Sequence, residues 1–105
     1  MELQITAVNN GTVIDHIPSE KTMKIVDLLG LTASNDRVTV AFNIDSKRNG
    51  KKGIIKIADR TLSSSELKKI AILAEEATVN IIENYKVVEK KYMTLPEVLV
   101  DIIEC

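Results

Sequence analysis

The sequence predicts an α+β fold: a ferredoxin-like antiparallel sheet of four to five strands with two helices on one face. Three observations lead there. Short segments with apolar residues at every second position recur along the chain. Two other segments carry apolar residues at helical spacing, each with start and stop signals. The order reads strand, helix, strand, strand, helix, strand, strand, which is the split βαβ plan with one strand more.

The first strand is LQITAV, with Leu3, Ile5 and Ala7 on one face. Asn9-Asn10-Gly11 then turns the chain, because Asn and Gly tolerate positive φ. TVID returns as a brief second extended piece. Pro18 to Leu29 reads as a helix on Met23, Val26 and Leu29, with Ile25 and Leu28 alongside. Pro18 suits its start and Gly30 its end. RVTVAFNI is the next strand, expected to show Val38, Val40, Phe42 and Ile44 on one face. DSKRNGKKG reads as a polar, basic loop, and GIIKIA as a strand with Lys56 between apolar neighbours. Ser63 and Glu66 fit a capping box before the helix of Leu67, Ile70, Ala71 and Ala74. ATVNII and YKVVEKKY are the last strands, turned at Glu83-Asn84. Residues 1–95 form one domain, and LPEVLVDIIEC, from residue 96 on its Pro, is an exit segment.

Composition narrows the function. A chain of 105 residues holds one core. With 45% apolar and 28% charged residues it is expected to be globular rather than disordered. The net charge of −1 argues against a general grip on nucleic acid, and 3% aromatics argue against a platform for stacked bases. No stretch is apolar enough to span a bilayer, and MELQITAV lacks the pattern of a signal peptide. The single cysteine, Cys105, cannot form an internal disulfide, so a cytoplasmic setting is expected.

The candidate sites are polar residues inside apolar patterns. Asp15-His16 lies between Val13-Ile14 and Ile17-Pro18, and His16 is the only histidine. One reading is a hydrogen-bonded surface pair at a strand end. The other is a ligand contact, with Asp accepting from sugar hydroxyls and His meeting a phosphate. Catalysis by the pair is not supported, because no Ser or Cys nucleophile stands in a recognisable motif beside it. Lys56 and Lys90 either face solvent or converge on a phosphate chain from neighbouring strands, as point charges. Lys47, Arg48, Lys51 and Lys52 crowd one loop, which solvated surface also explains. GKKG is too short for a phosphate loop of the Walker or dinucleotide kind. One cysteine and one histidine do not complete a four-ligand zinc site.

Four pieces together carry a family resemblance: GTVIDHIP, VAFNIDSKRNGKKGIIKI, ATVNIIENYKVVEK and LPEVLVDIIEC. From Leu3 to Cys105 the chain resembles the N-terminal allosteric domain of the aspartate carbamoyltransferase regulatory chain. The resemblance implies a non-catalytic subunit that pairs through its sheet into a homodimer and associates with the catalytic chains. It implies effector nucleotides of pyrimidine biosynthesis, with CTP and UTP inhibiting and ATP activating. It also implies roles. Asp15 meets the ribose together with Lys56, His16 and Lys90 face the triphosphate, and Asn80 lies near the phosphates. Main-chain groups of Val8 and Tyr85 read the base edge, while Ala7, Val13, Ile82 and Val87 shape the pocket. Lys52 is retained from the family pattern, whereas Glu2 and Arg48 depart from it and oppose a second, metal-linked nucleotide. Cys105 matches the first of four zinc-ligating cysteines, and the other three are absent from this sequence. The expectation is a fragment cut at the domain boundary, with the zinc domain missing and no cofactor of its own. The rivals are a ferredoxin-like module sensing another small molecule, a single-strand RNA module using Phe42, Tyr85 and Tyr92, and a purely structural dimer.

Overall fold

The segment GTVIDHIP organises the molecule. In the computed structural model, which describes residues 8–47 and 50–93, it is strand β1 (Gly11–Pro18), the middle strand of five. The others are β2 (Val38–Ser46), β3 (Gly50–Ala58), β4 (Thr78–Glu83) and β5 (Lys86–Tyr92). Helix α1 (Thr22–Leu28) follows β1, and α2 (Ser64–Leu73) follows β3. The strands lie in the order β2-β3-β1-β4-β5. Every pairing is antiparallel, so the α+β class and the expected element order hold.

One face of this sheet makes the core. Ile14 of β1 pairs with Ile55 of β3 and Val79 of β4, and Thr12 pairs with Ile57. On that face pack Ile25 and Val26 of α1 and Ile70 and Ala71 of α2, all buried. Each large aliphatic side chain taken from water there contributes about 1.5–3 kcal/mol. The capping box forms as its residues require. The Glu66 N–H donates to Ser63 Oγ at 3.1 Å, and the Ser63 N–H donates to Glu66 Oε1 at 2.9 Å. Arg60 ties the elements together, donating to Glu66 (2.7 Å), Asp36 (3.2 Å) and the Leu29 carbonyl (3.3 Å).

Several expectations change. TVID is not a brief return but the heart of an eight-residue central strand. Most of the expected strand LQITAV lies outside the described residues, as do the exit segment and the boundary at residue 95. Pro18 closes β1, paired with Lys52, and caps a 3-10 turn (Ser19–Lys21), so the α-helix itself starts later than expected, at Thr22. On α1, Met23 and Leu28 are exposed, and the buried stripe is Ile25, Val26 and Leu29. Ile44 leaves the face of Val38 and Val40, because the β2–β3 register shifts between Ala41 and Ile44 and pairs Ile44 with Lys52. Asn43 takes φ 65° at that bulge, and the period of two breaks there. The expected basic loop is mainly hairpin, with Asp45 paired to Lys51 and Ser46 to Gly50.

Candidate functional site

Among the described residues the sheet's other face carries no helix, and on it the polar residues of the sequence come into line. Thr39 pairs with Lys56, Lys56 with Val13, Val13 with Asn80, and Asn80 with Lys90. Directly paired residues point to the same side of a sheet, so these form one row across all five strands. At about 4.8 Å between strands, Lys56 and Lys90 start roughly 14 Å apart along that row, with Val13 and Asn80 between them. The next row on one side is Gly11, Ile82 and Val87; on the other it is Asp15, Thr78 and Tyr92.

Asp15 and His16 owe their position to a bulge. Ile14 pairs with Ile55 and Ile17 with Gly53, so two residues of β1 stand opposite the single Ile54 of β3. Unbroken alternation would send His16 into the core beside Ile14. The bulge instead sends Ile17 there, fully buried, and leaves both Asp15 and His16 off the core face. His16 takes φ 59° to do so, a conformation that a side chain with a Cβ adopts at a cost. The His16 ring Nδ1 lies 3.1 Å from Thr78 Oγ1. This is why an Asp–His pair stands in what reads as buried strand.

Charge is arranged around the bulge. The Lys52 ammonium donates to Asp15 Oδ1 at 3.0 Å, and the His16 N–H donates to the same oxygen at 2.7 Å. Burial pushes the Asp15 pKa up. The Lys52 hydrogen bond, the His16 N–H and the adjacent positive charge outweigh it and hold the carboxyl below its ordinary 3.8. Asp15 is therefore a carboxylate at neutral pH, able only to accept hydrogen bonds. Asn80 is buried and donates from Nδ2 to the Val13 carbonyl at 3.2 Å, which fixes its amide against the sheet.

At the end of the row lies a cavity of about 430 Å³ lined by Val8, Asn9, Asn10, Arg37, Thr39, Lys56, Ala58, Asp59 and Tyr85. Its rim is the β4–β5 turn. Asn84 (φ 52°) and Tyr85 (φ 66°) both take left-handed backbone, as a tight type I′ hairpin demands. Glycine is the residue that fits the second position without strain, and a side chain there costs about 1–2 kcal/mol. Two hydrogen bonds hold the turn to the segment before β1: the Tyr85 N–H to the Asn9 carbonyl (2.9 Å) and the Asn84 N–H to Asn10 Oδ1 (3.2 Å).

Of the residues singled out in the sequence, Val13, Asp15, Lys56, Asn80, Ile82, Val87 and Lys90 thus fall in three adjacent rows of one face, with His16 at their bulge. Val8, Lys56 and Tyr85 meet at the cavity, and Lys52 joins through Asp15. Ala7, Glu2, Arg48 and Cys105 lie outside the described residues. Seven residues were not anticipated at the site. Asn9, Asn10, Arg37, Thr39, Ala58 and Asp59 line the cavity, and Thr78 meets His16. Thr39 left a trace in the sequence, as the polar partner between Val38 and Val40.

Comparison with known proteins follows the same line. A family model described as the allosteric domain of the aspartate carbamoyltransferase regulatory chain matches residues 3–94. The chain belongs to the aspartate carbamoyltransferase regulatory chain family. The regulatory chain of Bacteroides fragilis is 50% identical over 103 residues, covering 98% of this chain and 67% of that relative. The regulatory chain of Pyrococcus horikoshii is 47% identical over 106 residues, covering 99% and 70%. For Proteus mirabilis the figures are 44% over 104 residues, 99% and 68%. The chain thus spans about two thirds of the length of these regulatory chains. A zinc site of four cysteines does not fit the residues present, since Cys105 is the sequence's one cysteine. Among the described residues, no helix is long and apolar enough to cross a membrane.

Proposed function

We propose that this chain is a non-catalytic effector module. Nucleoside triphosphates bind on the helix-free face, and in the regulatory assembly they control aspartate carbamoyltransferase in pyrimidine biosynthesis. CTP and UTP act as inhibitors and ATP as activator, and the chain needs no cofactor of its own. The observation that carries this reading is the row joining Lys56, Val13, Asn80 and Lys90, flanked by the Asp15-His16 bulge. A polyphosphate needs cations spread along a line, a ribose needs acceptor and donor together, and a base needs a partly apolar cleft.

The roles follow from the layout. Lys90 and His16 hold the phosphates, with the Asn80 amide beside them. Asp15 accepts from the ribose hydroxyls, with Lys56 on the same face. The Tyr85 N–H is engaged by Asn9, so its carbonyl is the main-chain group assigned to the base, with Val8 opposite. Val13, Ile82 and Val87 supply the apolar floor, with Ala7. Lys52 is the reserve cation, paired to Asp15 until a phosphate competes for it.

Control of the enzyme would come from unequal affinity. An effector that binds better to one quaternary state shifts the assembly toward it, by no more than that difference. Association with the catalytic chains, and a homodimer through the sheet, are parts of the same proposal. Among the described residues β2 and β5 are the sheet's edges. Phe42 and Met23, both exposed, border a cavity of about 480 Å³ beside β2 and make that edge the better place for a second copy. Phe42→Asp should then convert dimer to monomer in sedimentation.

The central test is calorimetric titration with CTP and ATP, repeated on Lys90→Ala and His16→Ala. Both nucleotides should compete for one site, and both substitutions should weaken them. A folded chain that binds neither would leave a purely structural dimer as the reading. A single-strand RNA module is disfavoured by geometry. Phe42 and Tyr92 are both about half exposed, but they stand on β2 and β5, at opposite edges of the sheet, so they form no shared platform.

A further inference from the structure

Tyr85 is out of place by every local rule. It is a bulky residue at φ 66° in a tight turn, where glycine fits without strain. It is also 65% exposed, so its ring contributes little to the core. Strain kept at a position that the fold does not need points to a task at the surface. The surface in question is the rim of the cavity that Tyr85 lines together with Val8 and Lys56.

We infer that the Tyr85 side chain, and not only its main chain, is a specificity-determining contact: its ring packs on the face of the nucleobase. This rests on the effector reading above. The turn cannot relax easily, because Asn9 and Asn10 hold both its N–H groups, so the ring is presented from a fixed backbone. A planar ring offers the base a π-face that any base accepts, but overlap grows with the size of the base. Adenine, with two fused rings, gains more from it than cytosine. Phosphate contacts, which lie farther along the row toward Lys90, are unaffected by the ring. Tyr85 therefore biases the site toward purine nucleotides without changing its grip on the phosphate chain.

The test is titration of the full chain and its Tyr85→Gly and Tyr85→Phe variants with ATP, CTP and inorganic tripolyphosphate, alongside thermal melts. Tyr85→Gly should melt higher, since the left-handed position is relieved. Its ATP affinity should fall about tenfold or more and its CTP affinity by less, while tripolyphosphate binds as before. Tyr85→Phe should keep the affinity of the original chain for all three. Equal ATP affinity in Tyr85→Gly and the original chain would overturn the inference and leave the effector site standing. So would a uniform loss that includes tripolyphosphate, which would mean that the turn merely shapes the site. If the original chain binds neither nucleotide, the effector reading itself fails and this inference falls with it.

Discussion

The two faces of the sheet are built to opposite rules. The helix-covered face is a set of buried aliphatic residues from three strands and both helices, with Val38 and Val40 of β2 packed against them. The open face has lysines, a carboxylate, an imidazole and an amide, each held in position by backbone register. One strand serves both. β1 gives Ile14 and Ile17 to the core, and Val13, Asp15 and His16 to the open face. On the proposed effector reading, the difference teaches that stability and recognition are separable in this domain, residue by residue along a single strand.

The sharpest test of that separation is a pair of substitutions on β3, one position apart. Ile55→Ala should cost about 2–5 kcal/mol of stability, because it opens a cavity against α1 and α2, and a denaturant midpoint will show it. Lys56→Ala should move the same midpoint less than Ile55→Ala does and lower nucleotide affinity by about tenfold in calorimetry. Equal effects of both on stability would break the comparison. A smaller effect is expected at the capping box. Ser63→Ala should destabilise by about 1 kcal/mol and leave nucleotide binding untouched, since α2 never reaches the open face.

The smallest effect joins the two faces through protons. The Asp15 pKa is depressed in the fold, so its contribution is fully present above 3.8 and is lost as pH falls through the lower folded value. Stability measured from pH 5 downward should therefore fall less steeply in Asp15→Asn than in the original chain. An identical slope would show that the Lys52 pairing does not stabilise the fold.

Local signals carried the scaffold's outline well. The capping box needs only Ser63 and Glu66 three residues apart, and the helix face of Ile70, Ala71 and Ala74 needs only period. Both are properties of one segment, and both appear as read. What could not be read depends on pairing between distant segments. The bulges at Asp15-His16 and at Phe42-Asn43 are defined by what stands opposite, so period two misplaced Ile44. The same holds for the row of Lys56, Asn80 and Lys90. Each residue is ambiguous in its own strand, and only the register of four strands makes them one line. The family resemblance named the expected site residues that spacing alone left open.

The bulge in β1 has a consequence for how such a domain changes over generations. Deleting the single residue His16 would leave Ile14, Asp15 and Ile17 in plain alternation, with Ile14 and Ile17 still on the core side. The scaffold would survive the loss of one codon, and the imidazole would not. On the proposed effector reading, gaining or discarding the imidazole's contact with a ligand is a step of one residue, taken without rebuilding the protein that carries it.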